Sequence, residues 1–193
     1  MRRVLPVNSI ILKIIITCIL SISIMLQNPT CLAKFIYDNT GEISFETNNN
    51  WYYTSLGEDS TTTELISLVY NNDTFIKFSQ GKLPMRYNNM RDISHTEKSV
   101  IMDSLIKYHI NMLKEKGYSV YINKTDVLSD TILTGYTITK NDIKYKMITC
   151  YCIKDYHIYS LVIGGTKQTI YTAFNVAKTL KINGILFDNW LKM

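Results

Sequence analysis

Four stretches rich in β-branched and aromatic residues follow one another between Tyr118 and Ile163, joined by two-residue polar turns. They read YSVYINKTDVL, TILTGYTITK, IKYKMITCYCI and YHIYSLVI, with Ser129-Asp130, Asn141-Asp142 and Lys154-Asp155 between them. Connections this short leave only antiparallel neighbours, because a parallel pair needs a crossover of about a dozen residues or more. A four-stranded meander is therefore predicted, and nothing else in the chain restricts the fold as much.

Upstream, KFIYDNTGEISFET reads as a hairpin, with strands at Phe35 to Tyr37 and Ile43 to Glu46. The polar run TNNNW then delivers Trp51. A second hairpin spans Glu64 to Tyr70 and Thr74 to Gln80 around Asn71-Asn72-Asp73, residues that tolerate turn geometry. Gly81 to Ile93 has no regular period and is predicted to be a long loop. A helix follows. Ser94 and Glu97 have the spacing of a capping box, Ile101, Leu105, Tyr108 and Met112 make one apolar stripe, and Gly117 supplies the exit. After the meander, Gly164-Gly165 are read as a turn and Thr166 as the cap of a final helix to about Leu180, with Ile170, Phe174 and Ala177 inward. Two hairpins, helix, meander, helix describe one α+β domain, a largely antiparallel sheet flanked by helices.

The first 33 residues are read as a signal peptide. Arg2, Arg3 and Lys13 precede an apolar run from Ile14 to Leu26, shorter than the roughly 20 residues a membrane span needs. Cys31-Leu32-Ala33 provides small residues before a cut, so the mature domain spans 34–193. Two rivals are an uncleaved anchor, if Ile10 to Leu12 are counted in, and lipidation at Cys31, against which Asn28-Pro29-Thr30 argue. All three leave the domain outside the cytoplasm, secreted or periplasmic. Arg2, Arg3 and Lys13 are three of the 21 basic groups, while all 16 acidic groups lie later, so the net charge falls from +5 to +2. A balance that close to neutral offers no electrostatic footprint for nucleic acid. Cys18 and Cys31 leave with the leader. With only Cys150 and Cys152 remaining, a core and not a disulfide framework must hold the domain together.

This layout resembles the PsbP-like fold, shared with the Ran-binding Mog proteins and many bacterial exported proteins. The features that carry the resemblance are the entry ISFETNNNW, then LKEKGYSV, LTGYTIT, YHIYSLVI and the closing helix YTAFNVAKTLKI. They span residues 35 to about 185, with Asn50 where the family usually has proline before the Trp. The resemblance implies an α/β/α sandwich and a non-enzymatic assembly, adaptor or accessory role.

Residues that could carry chemistry are few. With Lys154-Asp155 as the turn, Cys152 would face His157, with Cys150 on the same side, so two thiols and an imidazole would converge. A closed zinc site wants four ligands, and Met147, Ile148, Tyr151, Ile153, Ile158 and Leu161 around them suit a buried strand. Packing is therefore the expectation, and Cys150, Cys152 and His157 remain weak candidates for metal or thiol chemistry. His95 and His109 have no partner motif and are read as surface or half-buried residues. Gly164-Gly165 belong to no phosphate-binding pattern. The two S-x-x-K matches, Ser79 with Lys82 and Ser104 with Lys107, lack the accompanying elements of serine–lysine acyl enzymes.

No catalytic residue, no metal and no cofactor is predicted. For binding, the candidates are Met85, Arg86, Tyr87, Met90 and Arg91 on the long loop, with Tyr52 and Tyr53 beside Trp51, because such types are enriched at interfaces. The expected function is an exported, non-enzymatic accessory domain docking to another envelope or extracellular protein. It would bind no nucleic acid, and would meet a membrane only through an uncleaved leader. One alternative is a carrier of a small hydrophobic ligand or lipid, held between sheet and helix. The other is a thiol or metal protein.

Overall fold

The computed structural model describes residues 33–48, 50–54, 62–82 and 84–193. The predicted leader, with Cys18 and Cys31 and all but its last residue, lies outside the described residues. The ordered elements are β1 (Lys34–Tyr37), β2 (Ile43–Thr47), β3 (Tyr52–Tyr53), β4 (Thr62–Tyr70), β5 (Thr74–Gly81), a 3-10 turn (Met90–Asp92) and α1 (His95–Glu115). The meander follows as β6 (Ser119–Val127), β7 (Ile132–Lys140), β8 (Ile143–Lys154) and β9 (His157–Gly165). Then come α2 (Ile170–Ala177), β10 (Lys181–Ile182), β11 (Ile185–Leu186) and α3 (Phe187–Trp190).

Seven strands form the main sheet in the order β3-β4-β5-β9-β8-β7-β6, every pair antiparallel. The fold is α+β, as the spacing of the turns demands. Tight hairpins need two consecutive residues in the left-handed region. Asn71-Asn72, Asn141-Asp142 and Asn183-Gly184 supply them with residues suited to it. The fourth such pair is Asp155-Tyr156, at φ 50° and 61°.

That last turn corrects a prediction. The chain reverses one residue later than Lys154-Asp155, so Ile153 pairs with Ile158, Cys152 with Tyr159 and Lys154 with His157. The predicted and observed registers differ by two residues and leave the same side chains on the same faces. Inside–outside alternation is blind to such a shift.

One face of the main sheet carries Ile76, Phe78, Cys152, Leu161 and Ile163, which pack against α2 and the ends of the chain. These ends contain a feature the sequence reading missed. The tail folds back as β10 and β11, and β10 pairs with β2 to make a second, four-stranded sheet, β1-β2-β10-β11. Phe187 and Trp190 of α3 close over Phe78 and Tyr159 as an aromatic cluster with centroids 5.3 to 5.9 Å apart. The buried Lys154 ammonium lies 5.2 Å from the Trp190 ring centroid. Trp51, fully buried, leans on Tyr70.

α1 packs on the opposite face, over β6 and β7. Ser94 caps it as predicted, accepting from the Glu97 N–H at 3.3 Å while the Glu97 carboxylate accepts from the Ser94 N–H. Lys98, buried in the first turn, donates to the Ser129 carbonyl at 2.7 Å and ties the helix to the β6–β7 connection. The predicted stripe turns inward except at Tyr108: Ile101, Leu105 and Met112 are half-buried against the core, and a second row beside them is buried more deeply. Lys98, His109 and Leu113 are buried, Met102 and Leu105 half-buried, and Tyr108 is exposed. On α2, Ile170, Ala173, Val176 and Ala177 are buried and Phe174 is exposed. Gly164 and Gly165 are strand residues and not a turn. Phe75 covers Gly164, while the Thr74 and Thr169 hydroxyls crowd Gly165, so a Cβ at either position meets atoms closer than packing allows.

A candidate ligand-binding cleft

Because α1 covers β6 and β7, the β4–β5–β9 part of the same sheet face is left beside the helix. Strand alternation aims Phe75, Lys77 and Ser79 of β5 and Ile158, Ser160 and Val162 of β9 into this space. Leu105, His109 and Met112 face them from α1, and Met147 and Tyr151 from β8. The result is a cleft of about 340 Å³, within the range of small-molecule sites. Its walls are mainly apolar. At one side Lys77 Nζ lies 2.6 Å from the Glu64 carboxylate, and Lys116 and Tyr118 sit near the C-terminal end of α1.

The polar centre of the cleft is His109. Its Nδ1 lies 2.9 Å from the Tyr151 hydroxyl, and its ring stacks on Tyr136 with centroids 5.5 Å apart. Burial, with a smaller push from the Lys116 charge, lowers the His109 pKa from 6.5 to about 4. Burial also raises that of Tyr151. At neutral pH both groups are therefore uncharged. They can give and accept hydrogen bonds but are poorly matched to proton transfer, for which a pKa near the working pH is best. The Thr149 hydroxyl is buried on the same face without a hydrogen-bond partner among the described residues, and the buried Tyr136 and Thr134 hydroxyls have only each other.

The sequence predicts a half-buried or solvent-facing His109, and here it is 7% exposed. The missed signal is a second row beside the predicted stripe, Lys98, Met102, Leu105, His109 and Leu113, which meets it at Leu105. Its first member is a lysine and its fourth a histidine, so apolar periodicity passes over it.

The predicted binding residues have mixed positions. Met90 is corrected: at 1% exposure it is core, packed with Ile93, Ile132 and Ile153. Met85 and Tyr87 are half-buried against that cluster. Arg86 is exposed, with its guanidinium carbon 5.5 Å from the Tyr87 ring centroid. The Tyr87 hydroxyl donates to Glu97, which raises the tyrosine pKa and lowers the carboxyl's. Arg91 pairs with Asp130, holding that carboxyl low. Tyr52 is exposed and donates to Asn72 at 2.8 Å. Tyr53 is half-buried, its hydroxyl without a partner among the described residues. The segment is thus bolted down and not free.

Cys150 and Cys152 are free thiols. His157 does not stand opposite Cys152. It faces Lys154 across the strands, and its Nδ1 lies 2.8 Å from the Asp155 carbonyl oxygen. Among the described residues no three His, Cys, Asp or Glu side chains are grouped to hold a metal.

No protein-family model matches the sequence, and no curated protein matches it. Among solved structures it is similar to the solution structure of cyanobacterial PsbP (CyanoP) from Synechocystis sp. PCC 6803. The TM-score is 0.55 at 8% identity, covering 80% of this chain and 95% of that one. A crystal structure from Bacteroides thetaiotaomicron VPI-5482 matches with TM-score 0.44 at 13% identity, covering 78% of this chain and 48% of that one. The chain has the PsbP-like fold.

Proposed function

We propose that this chain is a non-enzymatic accessory domain that binds a small, largely apolar molecule in the cleft between α1 and the main sheet. The observation that carries this reading is the cleft itself: about 340 Å³ of mainly apolar wall around the uncharged His109–Tyr151 pair, with the Lys77–Glu64 ion pair at one side. The PsbP-like fold supports an accessory role, and the basic, then apolar, N-terminal segment supports a place outside the cytoplasm. Native mass spectrometry of the protein purified from its own source tests the carrier reading. A bound apolar molecule that extracts into organic solvent is expected, and Leu105→Trp, which fills the cleft, should abolish it. A wild-type protein that never carries such a molecule, and takes up none when offered, overturns the reading. N-terminal sequencing of the exported form should begin at Lys34.

A second reading is docking to another envelope or extracellular protein through residues 84–93. It is favoured by the way Met90 and Ile93 anchor that segment while Arg86 stays exposed, since a preorganised surface loses little entropy on binding. Cross-linking from position 86 in the native envelope should capture one reproducible partner.

A further inference from the structure

We infer that the cleft selects an apolar molecule bearing a single uncharged hydroxyl, seated on the His109–Tyr151 pair. This rests on the cleft being a ligand site.

The apolar requirement comes from the walls. Phe75, Met147, Ile158 and Val162 on the sheet and Leu105 and Met112 on the helix present side chains with no strong hydrogen-bonding group. At about 30 Å³ per water-sized unit, the volume suits a body of on the order of ten heavy atoms.

The head group follows from what His109 has left to offer. Nδ1 is engaged by Tyr151 at 2.9 Å, which leaves Nε2 as the ring nitrogen for an incoming group. If the tyrosine donates to Nδ1, Nε2 carries the proton and donates; if Nδ1 donates, Nε2 accepts. A hydroxyl fits both arrangements, because it is itself donor and acceptor. The stack on Tyr136 and the bond to Tyr151 hold the ring, so little is lost in ordering it.

Charged heads fit less well. An ammonium would enter a space that carries Lys116 and whose one lining carboxylate, Glu64, is already engaged by Lys77. A carboxylate would find Lys77 already paired with Glu64 at 2.6 Å, and an imidazole that burial keeps uncharged. Its remaining cation would be Lys116, which is exposed to solvent and not buried beside the His109–Tyr151 pair. Burying an ion without a matching charge is costly.

The test titrates the purified protein at neutral pH with three probes of equal chain length, 1-octanol, octanoate and octylamine. The readout is the methyl resonances of Met112 and Met147. The alcohol is expected to bind about ten-fold or more tightly than either ion, the difference one well-placed hydrogen bond makes. His109→Phe keeps a ring to stack on Tyr136 and should erase the preference. Tyr151→Phe should reduce it and serves as an independent check should the first variant fold poorly. Octanoate or octylamine binding as well as the alcohol overturns the hydroxyl assignment and leaves the cleft as a site. A preference that survives in both variants overturns the assignment to this pair. If no probe moves either methyl, the cleft is not a ligand site and both readings fall.

Discussion

The ring of Phe75 lies over the backbone of Gly164, its cross-strand partner, where a Cβ would overlap the ring. Gly164 therefore stands at a close approach and not at a turn, and the Phe75 ring forms part of the cleft wall as a result.

Gly164→Ala is accordingly expected to destabilise by about 1–3 kcal/mol, the usual range for overpacking. In a Phe75→Ala background the same change should be nearly neutral, because contacting residues couple. Urea unfolding of the four proteins measures this. Equal losses in both backgrounds would mean that the ring is not the obstacle.

His109 gives stability a pH dependence whose sign is set by its lowered pKa. The unfolded imidazole titrates near 6.5 and the folded one near 4. Between these values the unfolded chain binds the extra proton. The contribution is full above about 6.5, declines as pH falls, and levels off below about 4. The loss amounts to as much as about 3 kcal/mol. Carboxylate titrations are common to wild type and His109→Phe, so the difference between their urea-unfolding curves isolates the imidazole. Parallel curves from pH 7 to 4 would contradict its burial.

The thiols should be inert while the protein is folded. Burial pushes Cys150 up to about 12 and raises Cys152 as well, and the thiolate is the reactive form. Two residues on one face of a strand also stand about 7 Å apart, at the limit for a disulfide without backbone movement. Alkylating reagent at mildly alkaline pH should label neither cysteine until urea unfolds the chain. Prompt labelling of Cys152 in the folded protein would show that the strand opens.

Tyr156 occupies a left-handed turn position, φ 61°, that glycine tolerates without a Cβ penalty. Its side chain is exposed. Tyr156→Gly should therefore stabilise the hairpin by up to about 1 kcal/mol, read as a raised unfolding midpoint. A clear loss would indicate that the turn is the earlier Lys154-Asp155 pair.

The candidate site was less legible than the fold. Leu105 and Met112 were assigned an inward face from their spacing, and both line the cleft. His109 and Lys77 were not, because a histidine on a helix and a lysine on a strand read as solvent-facing in any periodic pattern. Met90 was placed on a loop and turned out to be core, since its segment lacks a period that would reveal which side chains turn in.

The local chemistry written in the chain was enough for the antiparallel meander, the Ser94–Glu97 cap, the hairpin at Asn71-Asn72 and the α+β class. Each depends on residues only a few positions apart, where turn preference and capping act directly. Tertiary structure alone decided the β8–β9 register, the second sheet joining Ile43 to Ile182, and the rotation of α1 that turns His109 toward Tyr151. A two-residue slip leaves every side chain on its proper face, and strands at opposite ends of a chain meet only once the core between them has formed. Pattern is silent on both, and packing chooses.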